Sequence, residues 1–420
     1  MTDSHPAGST ETDPNVSAIS GTLQLPRYPG QPVGHQPRLV HLTTTDMSLA
    51  LLLGPQLRAF AAAGYEVVGV SAPGPHVAEL RSWGIHHVPL RHATRSMALR
   101  RDARALVELI RVFRELEPRI VHTHNPKPGV YGRIAAKVAG VPIIVNTVHG
   151  LYALPEDPIG KRAAVYSLER IAATCSHAEL LQNPEDLPVL RRLRVRGDKL
   201  TILGNGIDLG RFDPDRVDPA NVAVLRKEMG AGPDEVLIGL VGRLVHEKGY
   251  REVFEAARRV AARSPQVRFA VIGPSDPDKA DAVTQAEIAA AEAIGNITFL
   301  GMRHDVDDLY AAMDAYVLAS YREGFPRSAM EAAAMGVPVI ATNIRGCRQV
   351  VEPGVTGMLV PARDAGALTD AITAMATNDE RRRAMGRAAR AKAQIDFDQH
   401  DVINTTLATY RALEARRAPR

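Results

Sequence analysis

Two glutamates stand eight positions apart in the stretch EGFPRSAMEAAAMG, one shortly before a proline and one within an alanine-rich run. Pro326 has the fixed φ of a first helical turn and lacks an N–H that this turn would not use, so a helix is predicted from there through Met335. Glu323 then lies in the entry loop, and Glu331 lies about 7 to 8 Å further along the helix axis. The two carboxylates can therefore contact different parts of one extended ligand.

Backbone groups between the two glutamates add a site for an anion. The N–H groups of Gly324, Phe325 and Arg327 have no partner within the predicted helix, and the positive end of the helix dipole lies beside them. A helix start of this kind binds anions such as a diphosphate. For each glutamate taken alone an alternative stays open, namely an acidic cap at Glu323 and a solvated helix residue at Glu331.

Two cations follow the first predicted strand in the second half of the chain. Arg243 follows that strand directly after Gly242 in VGRLVHEKGY, and Lys248 stands five residues later in the turn before the next helix. An arginine fork and a lysine point charge can both bind phosphates. Surface ion pairs with Glu247 or Asp276 are the alternative for these cations.

Short β-branched runs alternate with helical stretches from Arg38 onward, which predicts an α/β fold with parallel, doubly wound sheets. The predicted helices span residues 49–63, 77–83, 98–117 and 130–139. The predicted strands are LVHLTT, YEVVGVSA, HHVPL, RIVHTH and VPIIVNTVH, followed after KLTILGNGIDLGRFDPD by EVLIGLVGR, VRFAVIGP, ITFLG, AYVLAS, VPVIATN and TGMLVP.

The pattern predicts two Rossmann-like domains that face a cleft. Residues 1–37 have the Ser, Thr, Gly and Pro content of a disordered tail, and the two domains are expected at 38–205 and 206–390. Residues 391–420 are expected to form a C-terminal helix that packs back on the first domain. Ligands of such folds bind at the carboxyl ends of the strands, so the site is expected where both domains present those ends.

Composition excludes several classes of function. The chain has 51 Lys and Arg against 47 Asp and Glu, a balance too mild to imply a nucleic-acid partner. No G-x-G-x-x-G follows the first strand of either half, which disfavours a nicotinamide or flavin enzyme. Cys175 and Cys347 lack metal-ligand spacing, and no apolar run is long enough for a signal peptide or a membrane span, so a cytoplasmic protein is expected.

Three blocks in the second half, VGRLVHEKGY, EGFPRSAMEAAAMGVPVIATNIRG and VVEPGVTGMLVP, resemble the donor-binding half of the retaining glycosyltransferases of family 4, which have the GT-B fold. The spacing of the two glutamates matches the E-x7-E pattern of that family. The resemblance runs from about Arg38 to the C-terminal helix. In the first half, TTTDMSL, VHTHNPKPG, NTVHG and GNGID resemble a bacterial branch that adds sugars to lipid-linked oligosaccharides or to capsule and exopolysaccharide precursors.

The resemblance implies how a nucleotide sugar would be held. Arg243 and Lys248 occupy positions that neutralise the departing diphosphate, and Glu331 occupies the position that grips the ribose hydroxyls. Glu323 faces the donor sugar together with the backbone of the three residues that follow it, Gly324, Phe325 and Pro326.

No metal and no other cofactor is expected, because two cations and a helix N-terminus can stabilise the leaving group and no Asp-x-Asp stands near these motifs. Retention by double displacement would need a nucleophilic carboxylate. The family resemblance implies front-face attack instead, and the sequence does not separate the two mechanisms.

Histidines in the first half supply further candidates. His124 resembles the histidine that contacts the donor sugar from the first domain, whereas His122 is expected on the opposite strand face with a structural role. His149 is a candidate for the acceptor side, with a structural histidine as the alternative. Asp46 stands where many family members have glycines, so it either lines the acceptor side or caps the following helix.

The predicted function is transfer of a sugar from a nucleotide-diphosphate sugar, first of all a UDP-sugar, to a glycan, lipid-linked or small-molecule acceptor. The first domain would bind the acceptor and the second the donor. Two alternatives stay open: another GT-B enzyme such as an epimerase or phosphorylase, and a catalytically silent sugar-binding subunit.

An arginine-rich stretch in the first half raises the question of a membrane. It suits the anionic inner face of the plasma membrane, although a solvated helix face explains it as well. The arginines are Arg91, Arg95, Arg100, Arg101, Arg104, Arg111 and Arg114.

Overall fold

The computed structural model describes residues 36–92, 99–124, 126–153, 157–277 and 279–417. It contains two compact units. One unit holds the described residues up to Val121 together with Ala135–Pro142, and the other holds His122–Ile134 and the described residues from Ile143 onward. The predicted tail lies outside the described residues apart from residues 36 and 37, and Arg95 also lies outside them.

The strands belong to two sheets. They are β1 (Arg38–Thr45), β2 (Glu66–Ala72), β3 (His86–Pro89), β4 (Ile120–Thr123), β5 (Ile143–Val148), β6 (Ala178–Leu181), β7 (Leu200–Ile202), β8 (Val236–Val241), β9 (Val267–Ile272), β10 (Ile297–Gly301), β11 (Ala315–Leu318), β12 (Val339–Thr342) and β13 (Gly357–Val360). The seven-stranded sheet has the order β3-β2-β1-β4-β5-β6-β7, and the six-stranded sheet has the order β10-β9-β8-β11-β12-β13.

Both sheets are doubly wound. In the six-stranded sheet all neighbouring strands pair in parallel, and in the other sheet β1–β2, β2–β3, β5–β6 and β6–β7 do so. The order reverses direction beside β1 in one sheet and beside β8 in the other, so each has the switch point of an open α/β fold. The predicted fold class is confirmed.

Helices connect the strands. They are α1 (Gly54–Ala62), α2 (Val77–Ser82), α3 (Leu99–Leu116), α4 (Pro126–Ala139), α5 (Ile159–Cys175), α6 (Leu187–Arg192), α7 (Pro219–Glu228), α8 (Tyr250–Arg263), α9 (Gln285–Glu292), α10 (Val306–Ala311), α11 (Arg327–Ala334), α12 (Cys347–Val350), α13 (Ala365–Thr377), α14 (Asp379–Asp396) and α15 (Gln399–Ala415). Within the described ranges no helix is both long and apolar enough to cross a membrane.

The strand residues of the second sheet alternate between two apolar layers. Val236 and Ile238 of β8 join the layer formed with α8 and α13. Leu237 joins the opposite layer, which contains residues of α11 and α14. Because both faces are covered, β8 is apolar throughout and its functional residues follow it in the loop.

Most elements lie where the patterns predict them. The two strands that the sequence did not predict are β6 and β7, which have four and three residues. Runs this short carry too little periodicity to be told from a loop.

Candidate functional site

Helix α11 provides the predicted anion-binding start. Pro326 is the N-cap residue with an extended ψ of 112°, so the helix begins at Arg327, one residue later than predicted. It ends before Met335 and Gly336, whose φ of 74° a glycine adopts without strain. No side chain of the described residues caps its N-terminus, which leaves first-turn N–H groups for another partner.

Lys248 and Glu323, which are 75 residues apart in sequence, meet beside this helix start. The Lys248 ammonium lies 2.6 Å from Glu323 Oε1, and the hydroxyl of Ser320, just after β11, donates to the same oxygen at 2.7 Å. Gly249 makes this approach possible, because a Cβ there would lie 2.1 Å from the carbonyl oxygen of Ala319. The structure therefore brings a residue predicted to bind phosphate into contact with a residue predicted to bind the donor sugar.

Arg243 forms one of the ion pairs that the sequence offered as an alternative. Its Nη1 lies 2.8 Å from Asp276 Oδ2, and 42% of its side chain is exposed. An exposed pair of this kind contributes about 0 to 1 kcal/mol. Exchange of Asp276 for a ligand phosphate would therefore cost little.

Glu331 lies within α11 with a polar surrounding of its own. The Tyr310 hydroxyl lies 3.2 Å from Glu331 Oε2, and Arg327 Nε lies 3.9 Å from Oε1. Burial raises the pKa of Glu331, although Arg327 and the Tyr310 hydrogen bond oppose this effect. The ionised form of Glu331 is therefore less favourable in the folded chain than in water, whereas a solvated helix residue would show no such effect.

The histidines of the first half form a pair. His124 Nδ1 lies 3.1 Å from His149 Nε2, and His149 Nδ1 lies 3.0 Å from Gln182 Oε1. Burial lowers the pKa of His149 to about 4, against a smaller opposing effect of Gln182. His149 is therefore neutral at physiological pH.

The expectation for His122 was wrong in its geometry. Its ring stacks on that of His124 with centroids 4.2 Å apart, because residues two apart on a strand point to the same face. Both of its ring nitrogens have partners, Tyr410 Oη on α15 and Thr147 Oγ1 on β5. These contacts favour the structural role that was expected for it.

The loop after Glu323 contacts the strand ends that carry these histidines. A Cβ on Gly324 would lie 1.9 Å from the His149 carbonyl oxygen, so only glycine permits this approach. Asn183 Nδ2 donates to the Gly324 carbonyl at 2.9 Å, and Asn205 Nδ2 donates to the Phe325 carbonyl at 3.1 Å. We call residues 323–326 the donor loop.

Asp46 belongs to the other unit and anchors a loop there. Its Oδ2 accepts the His76 N–H at 2.8 Å, and a Cβ on Gly74 would lie 2.4 Å from its other oxygen. No side-chain cap is made at the helical turn Ser48–Leu52 that follows. The helix-cap alternative for Asp46 is therefore wrong.

Several polar residues of this region were missed from the sequence. Gln182 and Asn183 directly follow β6, Ser320 follows β11 by two residues, and Tyr310 lies on α10. A polar residue just after a buried strand is a usable signal, because parallel strands bring their carboxyl ends to one edge. For Tyr310 the sequence carried no comparable signal.

Two family models match the chain. The model described as glycosyl transferases group 1 matches residues 222–392, which contain Arg243, Lys248 and both glutamates. The model described as glycosyl transferase 4-like matches residues 45–178.

Relatives with assigned names and a solved structure agree with these models. The Staphylococcus aureus capsular polysaccharide biosynthesis glycosyltransferase CapM is 28% identical over 366 residues, covering 86% of this chain and 93% of that protein. The Escherichia coli UDP-Gal:alpha-D-GlcNAc-diphosphoundecaprenol alpha-1,3-galactosyltransferase is 30% identical over 309 residues, with coverages of 72% and 78%. The crystal structure of Anabaena HepE in complex with UDP and glucose has a TM-score of 0.73 at 19% identity, covering 90% of this chain and 100% of that one.

The structural likeness confirms the GT-B fold, and the sequence matches extend over both halves of the chain. The chain belongs to the group 1 glycosyltransferases.

Proposed function

We propose that this protein is a retaining, metal-independent glycosyltransferase that moves a sugar from a UDP-sugar to a lipid-linked or glycan acceptor in cell-surface polysaccharide synthesis. The observation that carries the proposal is the pair of Lys248 and Glu323 beside the uncapped start of α11. It combines a cation and backbone donors for a diphosphate with a carboxylate for the sugar.

The leaving group of such a transfer is a nucleoside diphosphate, on which negative charge accumulates. Lys248 and Arg243 follow the same strand, and among the described residues each pairs with one carboxylate. Both carboxylate contacts can be exchanged for phosphate oxygens, and the N–H groups at the start of α11 add further donors. Preorganised charge of this kind stabilises a transition state without reorganisation.

Metal independence is proposed on the chemistry of these side chains. The sequence Asp305-Val306-Asp307 is the Asp-x-Asp that stands nearest before the donor loop. Asp305 pairs with Arg303 at 2.6 Å, and Asp307 pairs with Arg211 at 2.8 Å. Because Arg243, Lys248 and the start of α11 can stabilise the leaving group without a metal, we assign the diphosphate to them.

The two glutamates would divide the donor between them. Glu331 is proposed to hold the ribose hydroxyls, and Glu323 the sugar as positive charge develops on it. Glu323 Oε1 is shared by Lys248 and Ser320, and both donors withdraw electron density from the carboxylate and so weaken it as a nucleophile for double displacement. We therefore favour front-face attack, in which the departing phosphate oxygen takes the proton of the acceptor hydroxyl.

The choice of donor and acceptor rests on the named relatives. The E. coli relative is named for UDP-Gal and a GlcNAc-diphosphoundecaprenol acceptor, the S. aureus relative for capsular polysaccharide synthesis, and the Anabaena structure contains UDP. These names support a UDP-sugar and a lipid-linked or glycan acceptor. His149 and Asp46 stay proposals for the acceptor side, and His124 for the donor sugar.

The alternatives are not favoured. An epimerase or phosphorylase would share the fold, but the matching family model is that of a glycosyltransferase. A catalytically silent subunit would not need Lys248, Glu323 and Glu331, and all three are present with defined polar partners.

Membrane contact through the arginine-rich stretch is part of the proposal. Arg101, Arg104, Arg111 and Arg114 are exposed on α3. Replacing Arg101 and Arg104 by Glu should abolish sedimentation with anionic liposomes at low salt while UDP binding is kept. Unchanged sedimentation would favour the solvated-face alternative.

A donor panel tests the proposed activity directly. Purified protein is incubated in excess chelator with each common UDP-, GDP- or TDP-sugar and GlcNAc-diphosphoundecaprenol, and release of the nucleoside diphosphate is followed. A UDP-sugar should be consumed, and proton NMR of the product should show the anomeric configuration of the donor. Glu323→Gln serves as the inactive control.

Three results would contradict the proposal. An inverted product excludes the retaining mechanism. Activity restored only by magnesium or manganese excludes metal independence. Epimerised nucleotide sugar without transfer would assign the site to the alternative enzyme class.

A further inference from the structure

A continuous chain of hydrogen bonds runs from the donor loop to the histidines. Asn205 Nδ2 donates to the Phe325 carbonyl at 3.1 Å, and Gln182 Nε2 donates to Asn205 Oδ1 at 3.2 Å. Gln182 Oε1 then meets His149 Nδ1 at 3.0 Å, and His149 Nε2 meets His124 Nδ1 at 3.1 Å. We call Asn205, Gln182, His149 and His124 the amide–histidine relay.

The polarity of the relay follows from its two backbone contacts. The Phe325 carbonyl accepts only, so the group of Asn205 that faces it must be the amide nitrogen. The Gly206 N–H lies 3.0 Å from the other end of the same amide, which must be the oxygen. Two backbone groups of opposite character therefore fix Asn205 in one orientation.

That orientation determines the rest of the chain. Because Asn205 Oδ1 is an acceptor, Gln182 must turn its amide nitrogen to it and its oxygen to His149. His149 Nδ1 then carries a proton. Since burial lowers the pKa of His149 to about 4, its Nε2 is unprotonated at neutral pH and accepts from His124 Nδ1–H.

We propose that Gln182 and Asn205 are positioning residues, which fix the ring orientation and tautomer of His149 and His124 and connect these rings to the donor loop. A neutral His124 then has its proton on Nδ1 and none on Nε2. The consequence for catalysis rests on the proposed function, in which His124 contacts the donor sugar. Withdrawal of the loop would remove one of the two backbone contacts that hold Asn205, and the Gly206 N–H contact would remain.

Nitrogen NMR of histidine-labelled protein tests the tautomers without any assay of activity. The chain has 14 histidines, so the signals of His124 and His149 are assigned by loss in His124→Gln and His149→Gln. At pH 7 His149 should have a protonated Nδ1 and an unprotonated Nε2, and His124 should have a protonated Nδ1. In Gln182→Leu, His149 loses its acceptor and should no longer be held in the Nδ1–H form.

Turnover tests the positioning role. Gln182→Leu and Asn205→Ala should each lower kcat about 10- to 100-fold, as a small misplacement of reacting groups does. Their Kd for UDP should change less than about threefold, because neither side chain is assigned to the diphosphate or the ribose.

Asn296→Ala is the matched control for Asn205→Ala. Asn296 is equally buried and donates to the Ala257 carbonyl at 3.1 Å, but it lies outside the relay. It should lose as much stability as Asn205→Ala and keep its kcat. Equal kcat losses in both variants would show that Asn205 only stabilises the fold and does not position the histidines.

The outcomes separate the relay from the proposed function. Protonated Nε2 on His149 in the wild type overturns the relay, whatever the activity. Predicted tautomers with wild-type kcat in Gln182→Leu overturn the positioning role. Predicted tautomers in a protein that transfers no sugar from any donor support the relay and overturn the proposed function instead.

Discussion

Two cation–carboxylate pairs in the same unit have similar distances and opposite surroundings. Arg133 lies 2.7 Å from Glu179 with side-chain exposures of 1% and 0%, whereas Lys248 lies 2.6 Å from Glu323 with exposures of 27% and 13%. Asn146 Nδ2 holds the second oxygen of Glu179 at 2.7 Å. The first pair is closed on all sides, and the second has room for another partner.

The difference shows which charged residues can bind a ligand. Arg133 also donates to Gly129 O at 2.6 Å and to Glu169 at 2.8 Å, so each of its three side-chain nitrogens has a partner within the protein. Such a buried group stabilises the fold and is not accessible to a substrate. Within the described part of the chain, Lys248 and Arg243 each pair with one carboxylate, and their remaining N–H groups can donate to phosphates.

The largest effect is expected when the closed pair is broken. Arg133→Met should lower the free energy of unfolding by about 3 to 5 kcal/mol, because it leaves Glu179 as an uncompensated buried charge. Urea unfolding measures this change. Arg258→Met is the control, since Arg258 pairs with Glu255 at 2.7 Å on an exposed helix face. Similar, small shifts in both variants would show that burial does not distinguish the pairs.

Breaking the open pairs should affect the reaction instead of the fold. Lys248→Ala and Arg243→Ala should each lower kcat/KM by about 3 kcal/mol of transition-state stabilisation, roughly 100-fold, because each removes a charge from the leaving group. Their free energies of unfolding should change by less than about 1 kcal/mol. Steady-state kinetics and urea unfolding on the same preparations provide both numbers. Near-native turnover would assign these cations to surface ion pairs.

The smallest expected effect is a change in stability on substitution of Glu331. Burial raises its pKa, so the ionised form is less favourable in the folded chain than in the unfolded chain. This cost is present at neutral pH and disappears as the pH falls below the unfolded pKa of a glutamate, where both states are protonated. Glu331→Gln should therefore raise the melting temperature slightly at pH 7, and the gain should shrink on acidification. A gain that grows in acid would contradict the sign of this shift.

The predictable part of the fold follows local chemistry. Pro326 and Gly336 placed α11 to within one residue at its start, because a proline and a glycine constrain φ independently of tertiary contacts. Alternating apolar runs likewise located the strands of both sheets except β6 and β7. The predicted domain bounds at 38–205 and 206–390 stay predictions.

The candidate site could be predicted only as a set of residue types. The sequence identified Lys248 and Glu323 separately, but nothing local shows that they contact each other across 75 positions. The partners Tyr310, Gln182 and Asn205 depend on how strand ends and loops pack, which spacing along one element does not show. His122 was placed on the wrong face although its spacing from His124 already indicated the same one.

Calorimetric titration of UDP into wild type, Glu323→Gln and Glu331→Gln tests the division of the site most directly. Glu331→Gln should weaken UDP binding about 10-fold or more, because a charged acceptor for the ribose hydroxyls is lost. Glu323→Gln should bind UDP as well as wild type or more tightly, since the change releases Lys248 from its carboxylate. Equal loss of UDP binding in both variants, or loss in Glu323→Gln alone, would contradict the assignment of ribose to Glu331 and sugar to Glu323.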